Sequence, residues 1–356
     1  MKIITVIGAR PQFIKAAPLS KVFQNSKDIN ELLIHTGQHY DENMSSIFFK
    51  DMGIPRPKYQ LNIGSGTHGY QTGNMLIEIE KILLEERPDF TLVYGDTNST
   101  LAGALASGKL NIPVVHVEAG LRSFDTNMPE EKNRVIVDHI SSLLCATSDE
   151  SLKNLSNEGI AKEKVRNVGD IMYDSFLMFR EYAVASALES RDYVLVTIHR
   201  AENTDVAKKL TNIVEGLLKI SKSQKVIFPL HPRTKAKLVA LGLYDKLSAS
   251  VELIEPVGFL EMLSLLNNAQ LVMTDSGGLQ KEAYYARKLC LTLRDSTEWV
   301  ETINHGYNSL VDVSDFESIV SAYNQAKSKL DGITWKEGIY GQGNSSKKIL
   351  ENILAL

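Results

Sequence analysis

The sequence predicts an α/β protein with two Rossmann-like, doubly wound parallel-sheet domains and a cleft between them. Three observations lead there. Short apolar runs of strand length alternate with helix-length runs along nearly the whole chain. Most of these apolar runs end in polar or charged residues, where an open parallel sheet places its ligand crevice. The stretch from Leu271 to Leu293 states the unit outright: strand at Leu271-Val272-Met273, turn at Thr274-Asp275-Ser276-Gly277-Gly278, helix over Leu279–Ala286, strand over Leu289–Leu293.

Taken in order, the first strand is Ile3–Ile7, turning at Gly8-Ala9-Arg10-Pro11 into a helix over Ile14–Gln24. Leu32–His35 is the second strand and runs into a polar loop carrying His35, Gln38 and His39. Between Gly53 and Gly73 the chain is rich in Pro, Gly and Asn and reads as a loop; Met75–Glu86 is amphipathic and reads as a helix. Phe90–Tyr94 is a strand ending in Gly95-Asp96, Thr100–Leu110 a helix, and Val114–Val117 a strand ending in Glu118-Ala119-Gly120. Glu130 and Glu131 fall in the loop MPEEKNR, before a helix over Arg134–Ser142. Strands at Leu143–Ala146 and Val165–Val168 complete the first domain, assigned to residues 1–169.

The pattern then begins again. Val194–Thr197 ends in His199-Arg200, Leu210–Ser221 is a helix, and Val226–Pro229 ends in His231-Pro232-Arg233. Val251–Ile254, the Leu271–Leu293 unit and a helix over Phe316–Leu330 fill the second domain, residues 170–341. The last residues, 342–356, form a turn and a helix that can pack back on the first domain.

Composition removes several function classes. With 43% hydrophobic and 23% charged residues the chain is ordinary globular material, not disordered. A net charge of -4 and the absence of a basic stripe set nucleic acid aside. Cys145 and Cys290 both sit in apolar runs, which indicates neither a disulfide framework nor a zinc site and suits a reducing compartment. Without a signal-peptide pattern or a membrane-length apolar run, the expectation is a cytoplasmic protein with no membrane partner.

Chemistry concentrates at the strand ends. Ser276, Gly277 and Gly278 open a helix whose first N–H groups are unsatisfied and whose dipole is positive, a setting for phosphate. Glu282, one turn on, repels phosphate but accepts hydrogen bonds from sugar hydroxyls, so the pair reads as a nucleotide site, phosphates on the turn and ribose on Glu282. Asp96, Glu118 and Glu130-Glu131 supply carboxylates from the first domain, and clustered acids raise one another's pKa into the general acid-base range. Arg10, Lys15, Arg122 and Arg134 are placed to balance them or to bind phosphate. His199 and His231 end equivalent strands, each close to an arginine, for phosphate or sugar contacts, with His199 also a proton carrier. No GxGxxG follows the first strand, so NAD is not expected, and no P-loop, zincin or hydrolase motif is present.

Together GARPQFIKAAP, YGDTNSTLAGALA, HVEAGLRSF, MPEEKNR, the HRAEN and HPRT strand ends, TDSGGLQKEA and LRDSTEWVE resemble the non-hydrolysing UDP-N-acetylglucosamine 2-epimerase family over nearly the whole chain. The resemblance implies a GT-B-type fold, usually a homodimer, that inverts carbon 2 of a UDP-2-acetamido sugar with no cofactor and no metal. It implies elimination of UDP to a 2-acetamidoglucal, then re-addition with protonation from the other face, in surface polysaccharide synthesis. By that likeness Asp96, Glu118 and Glu130 transfer protons and His199 assists. Arg10 and Lys15 contact substrate from the first domain, His231, Ser276, Gly277 and Gly278 hold the phosphates, and Glu282 holds the ribose; on the residues themselves, Arg134 joins the substrate-binding set.

The chain departs from the family's GTRPE and TERPE patterns at Gln12 and Trp299, as does the branch that epimerises UDP-2,3-diacetamido-2,3-dideoxyglucuronate. An amide at position 12 would lessen repulsion of a sugar carboxylate. Gln38 and His39 keep part of the motif for a second, activating UDP-N-acetylglucosamine site. Other readings of the same frame are a glycosyltransferase, a hydrolysing epimerase and a nonenzymatic sugar-nucleotide sensor.

Overall fold

The computed structural model describes residues 1–37, 54–180 and 192–356, so Gln38 and His39 lie outside the described residues. Two compact units are present: Met1–Met178 with Glu337–Leu356, and Phe179–Lys336. Each is a parallel sheet with helices, the fold class expected from the alternation of strand and helix.

In the first unit, β1 (Lys2–Ile7), β2 (Asn30–His35), β3 (Tyr59–Gln60), β4 (Phe90–Tyr94), β5 (Val114–Ala119), β6 (Leu143–Ala146) and β7 (Val165–Asn167) pair in the order β3-β2-β1-β4-β5-β6-β7. In the second, β8 (Tyr193–Thr197), β9 (Lys225–Pro229), β10 (Glu252–Ile254), β11 (Leu271–Thr274), β12 (Leu289–Thr292) and β13 (Asn308–Leu310) pair as β10-β9-β8-β11-β12-β13. Central strands are buried and largely apolar because helices cover both faces, with Thr5, Thr91, His116 and Glu118 as buried polar exceptions. Ile3, Ile4, Val6 and Ile7 of β1 and Val194, Leu195 and Val196 of β8 are all buried. In both sheets the chain order reverses beside the first strand, between β1 and β4 and between β8 and β11. A crevice forms at such a reversal, because the flanking connections leave in opposite directions.

Among the differences from the sequence expectation are three in the first unit. The helix placed at Met75 begins at His68, where Thr67 caps it by accepting from the Tyr70 N–H. The preceding loop holds the short edge strand β3, which pairs with β2. Glu130 and Glu131 lie not in a loop but in the first turn of the helix Pro129–Ile140, with proline at its start. Proline and acids are both favourable there, since the N–H groups are unpaired and the dipole is positive.

The last helix, Ser345–Leu354, packs on the helix Arg10–Gln24. Asp174 holds its first turn, accepting from the Ser345 N–H at 3.0 Å, the Ser346 N–H at 2.8 Å and the Ser346 hydroxyl at 2.7 Å.

One interior charge bears on stability. Glu31 of β2 accepts a 2.6 Å hydrogen bond from the Thr5 hydroxyl of β1, while its Oε2 is sealed from solvent. Burial pushes its carboxyl up from 4.5 to about 7, against the opposing side-chain interactions of Thr5 and Ser20. The folded state therefore holds a proton that the unfolded chain releases, and stability falls as pH rises from 4.5 through about 7. The full loss is about 3 kcal/mol. Glu31→Gln is expected to match the wild type in urea unfolding near pH 4.5 and to exceed it at pH 8. Parallel stability curves across that range would refute the assignment.

Candidate functional site

Two of the acids predicted from the first half of the chain, Asp96 and Glu118, follow or end the adjacent strands β4 and β5 beside the β1–β4 switch point. After Tyr94, Gly95 turns with φ +64, its N–H donating to the Val117 carbonyl at 3.0 Å, and Asp96 follows. Lys15, from the helix after β1, forms an ion pair with Glu118 in which both side chains are largely buried, at 12% and 4% exposure. A Cβ at position 95 would lie 3.1 Å from Lys15 Nζ and 3.4 Å from Glu118 Oε2, so the glycine leaves room for this pair beside Asp96.

Asp96 Oδ2 accepts from Arg134 Nε at 2.9 Å and Nη2 at 2.7 Å, and the Asp96 carbonyl accepts from Asn133 Nδ2 at 2.8 Å. Arg134 Nη1 also donates to Glu131 Oε2 at 2.7 Å. Glu118 has φ +73, and the β5–β6 register shifts between Val117 and Ala119. A non-glycine residue in that region costs about 1–3 kcal/mol and, at a bulge, re-aims a side chain. Such backbone strain concentrates at functional sites.

Two expectations need correction here. The carboxylates are not left to face one another: Glu118 faces Lys15, while Asp96 and Glu131 share Arg134. Arg122 does not balance them. It is buried and bonded to Asp138 at 2.8 Å and Glu158 at 2.6 Å. Glu130 is exposed, whereas its neighbour Glu131 is buried and accepts from the N–H groups of Ser123 and Phe124 at 3.0 and 2.9 Å. Burial raises the Glu131 carboxyl, but those bonds and Arg134 outweigh it and hold it below its usual range. Arg10 opens its helix, partly buried.

Gln12 is built into the interior of the first unit. At 1% exposure its Oε1 accepts from the Gly8 and Ala9 N–H groups at 2.8 and 3.0 Å, and its Nε2 donates to the Tyr94 carbonyl and Thr100 hydroxyl at 3.0 and 2.9 Å. Its amide ties the turn after β1 to the end of β4.

In the second unit the β8–β11 switch point carries the histidines and the glycine turn. Asp275, fully buried and not singled out in the sequence as a site residue, accepts from the His199 N–H at 3.1 Å, the Arg200 N–H at 3.0 Å and Asn203 Nδ2 at 3.1 Å. His199 Nδ1 stands 3.2 Å from its Oδ1. Burial pushes the Asp275 carboxyl up, yet the hydrogen bonds and charge of His199 and its neighbours bring it below the usual range. An ionised carboxylate only accepts, so Nδ1 carries hydrogen and Nε2 of His199 is left for proton exchange. The available signal was an acid ending the strand beside the histidine's strand.

His231 accepts from the Arg233 N–H through Nδ1 at 3.2 Å, which places its hydrogen on Nε2 as a donor. Desolvation first, then the charges of His199 and Arg233, lower its pKa and favour this neutral form. The two rings lie 6.1 Å apart.

Ser276 stands at the N-cap of the helix Gly277–Tyr285 without a capping bond from its side chain. The Glu298 carboxylate lies against Gly277, 2.8 Å from where a Cβ would sit, with an Arg200 nitrogen 3.8 Å from that same point. Arg294 donates to Glu298 at 3.3 Å. Gly278 is exposed and Glu282 nearly buried, one turn in. Gln280, missed in the sequence, donates to the Ser276 carbonyl at 3.2 Å and accepts from Thr297 and Asn308 at 2.7 and 3.0 Å, tying the turn to the STEW segment. Trp299, at 4% exposure, lies under Lys281 Nζ at 3.8 Å from its ring centre, a cation–π contact.

The family model for UDP-N-acetylglucosamine 2-epimerase matches residues 21–354. The chain belongs to this family. It is 50% identical to a UDP-N-acetylglucosamine 2-epimerase homolog of Methanococcus maripaludis, over 99% of each chain. It is 49% identical to the UDP-2,3-diacetamido-2,3-dideoxy-D-glucuronate 2-epimerase of Pseudomonas aeruginosa, over 100% of each. The solved structure of the Methanocaldococcus jannaschii UDP-GlcNAc 2-epimerase in complex with UDP-GlcNAc and UDP superposes with a TM-score of 0.90, at 46% identity and full coverage of both chains. Family membership makes the chain one of the UDP-sugar isomerases, and among the described residues no helix is long and apolar enough to cross a membrane.

Proposed function

We propose that this chain inverts carbon 2 of a UDP-2-acetamido hexose, with UDP-N-acetylglucosamine and UDP-N-acetylmannosamine as the default pair. The observation that carries the reading is Glu118, held by Lys15 in a strained backbone beside Asp96. In the proposed reaction a first-unit carboxylate removes the carbon 2 proton. The electron pair forms the carbon 1–carbon 2 double bond of a 2-acetamidoglucal, and the carbon 1–oxygen bond to UDP breaks. UDP then re-adds while a proton reaches carbon 2 from the opposite face, so atoms balance with no redox partner.

Asp96, Glu118 and Glu130 share the proton transfers, with His199 assisting through Nε2. Arg10, Lys15 and Arg134 orient substrate and acids. His231 through Nε2, with the N–H groups after Ser276 at Gly277 and Gly278, stabilises the departing diphosphate, where positive helix dipole and donors are worth most. Glu282 takes the ribose hydroxyls. We further propose a cytoplasmic homodimer serving surface polysaccharide synthesis.

The full-length likeness to the Pseudomonas aeruginosa protein favours a second substrate, UDP-2,3-diacetamido-2,3-dideoxyglucuronate. Proton NMR in deuterated water separates the two. Deuterium entering carbon 2 of UDP-N-acetylglucosamine, with the manno epimer appearing, is the expected result. Exchange only in the diacetamido acid would move the chain to that branch, and exchange in neither would refute the epimerase reading.

A further inference from the structure

Behind the acids lies a buried polar group that the proposed chemistry does not touch. His116 of β5 has no exposure. Its Nδ1 is 2.7 Å from Asp138 Oδ1, and its Nε2 is 2.8 Å from the Gly95 carbonyl. Asp138 in turn accepts the Gly120 N–H at 3.1 Å and pairs with Arg122 at 2.8 Å through Oδ2. Arg122 continues to Glu158 with two bonds, 2.6 and 2.8 Å. Asn154 closes the set by donating to the Gly120 carbonyl at 3.0 Å.

The arrangement grips both acid-bearing strand ends. Gly95 immediately precedes Asp96, and Gly120 lies two residues after Glu118. The paired register of β4 and β5 ends at Tyr94 and Val117, so the Gly95 carbonyl lies past the ladder, and the imidazole supplies it a donor. The bulge at Glu118 likewise takes Gly120 out of regular pairing, and Asp138 receives its N–H.

A carbonyl oxygen never donates, and Asp138 is an acceptor on both oxygens. Burial pushes the Asp138 carboxyl up, but His116 and Arg122 outweigh burial and hold it below its usual range. Both ring nitrogens of His116 must therefore carry hydrogen for both bonds to form. The cluster is then neutral as a whole, His116 and Arg122 against Asp138 and Glu158.

We propose that His116, as a doubly protonated ring clamped between Asp138 and the Gly95 carbonyl, is a positioning residue that sets Asp96 and Glu118 at the reacting carbon. This rests on the carbon 2 chemistry proposed above. A misplacement of order 1 Å in such a group costs roughly 100-fold in rate. His116→Gln keeps one donor and loses the other.

Two measurements test the proposal. With 15N-histidine in the wild-type protein, long-range proton–nitrogen correlation at pH 7 should show one of the eight histidines with both nitrogens in the protonated range. That signal should vanish in His116→Gln, or shift in Asp138→Asn if the first variant does not fold. An unprotonated nitrogen on His116 overturns the clamp.

In kinetics, His116→Gln is expected to lower kcat for carbon 2 exchange by roughly 100-fold while KM and UDP affinity stay within about threefold. Unchanged kcat, or kcat and UDP affinity falling together, overturns the positioning role. Absence of exchange in the wild type would instead sink the epimerase reading, and the ring-nitrogen measurement would still decide the clamp.

Discussion

Glu118→Gln is expected to lower carbon 2 exchange by about 10³-fold or more while UDP affinity changes within about threefold. The amide keeps the side chain's length but cannot accept a proton, and it leaves Lys15 without the carboxylate it faces at 12% exposure. Because φ at 118 is +73 in a bulge, glutamine inherits the strained backbone, and a stability cost from the unpaired Lys15 is expected beside the loss of chemistry. Asp96→Asn should behave alike, since it removes the charge that Arg134 holds with two bonds to Oδ2. UDP binding is proposed to rest on the second unit, so UDP calorimetry should be nearly blind to both changes. Full activity on a sugar the wild type epimerises would remove these acids from the mechanism.

Gln12→Glu is expected to destabilise the protein by about 2–4 kcal/mol without altering the choice between the two UDP sugars. One carboxylate oxygen can still accept from the Gly8 and Ala9 N–H groups. The other would face the Tyr94 carbonyl, which already accepts from the Thr100 hydroxyl at 2.7 Å, and two acceptors would meet in a dry interior. Thermal unfolding should show the loss, with the ratio of kcat/KM for the two sugars unchanged. A changed ratio in a stable variant would return position 12 to substrate selection.

Strand and helix order, the two parallel domains and the strand-end location of Asp96, Glu118, His199, His231 and the Ser276–Gly278 turn were legible in the chain. They follow from local rules: period, turn chemistry and the polarity of a parallel sheet's carboxyl edge. The motifs beyond those rules carried the family likeness. Two of the misjudged helix starts had signals one residue wide, Thr67 before one helix and Pro129 at the start of another.

What tertiary structure alone decided was the partner of each charge. Nothing local distinguishes Arg134, which holds Asp96, from Arg122, which turns away to Asp138 and Glu158. Glu130 and Glu131 are adjacent in the chain, yet one is exposed and the other closes a loop. Asp275 read as an ordinary turn residue, and Gln12 as an amide lessening repulsion of a sugar carboxylate, until burial fixed their partners. The physical reason is range: helix and strand preferences act over a few residues, whereas hydrogen bonds such as His116 to Gly95 and Arg134 to Asp96 join positions 21 and 38 apart. Only the packed sheet brings such pairs together.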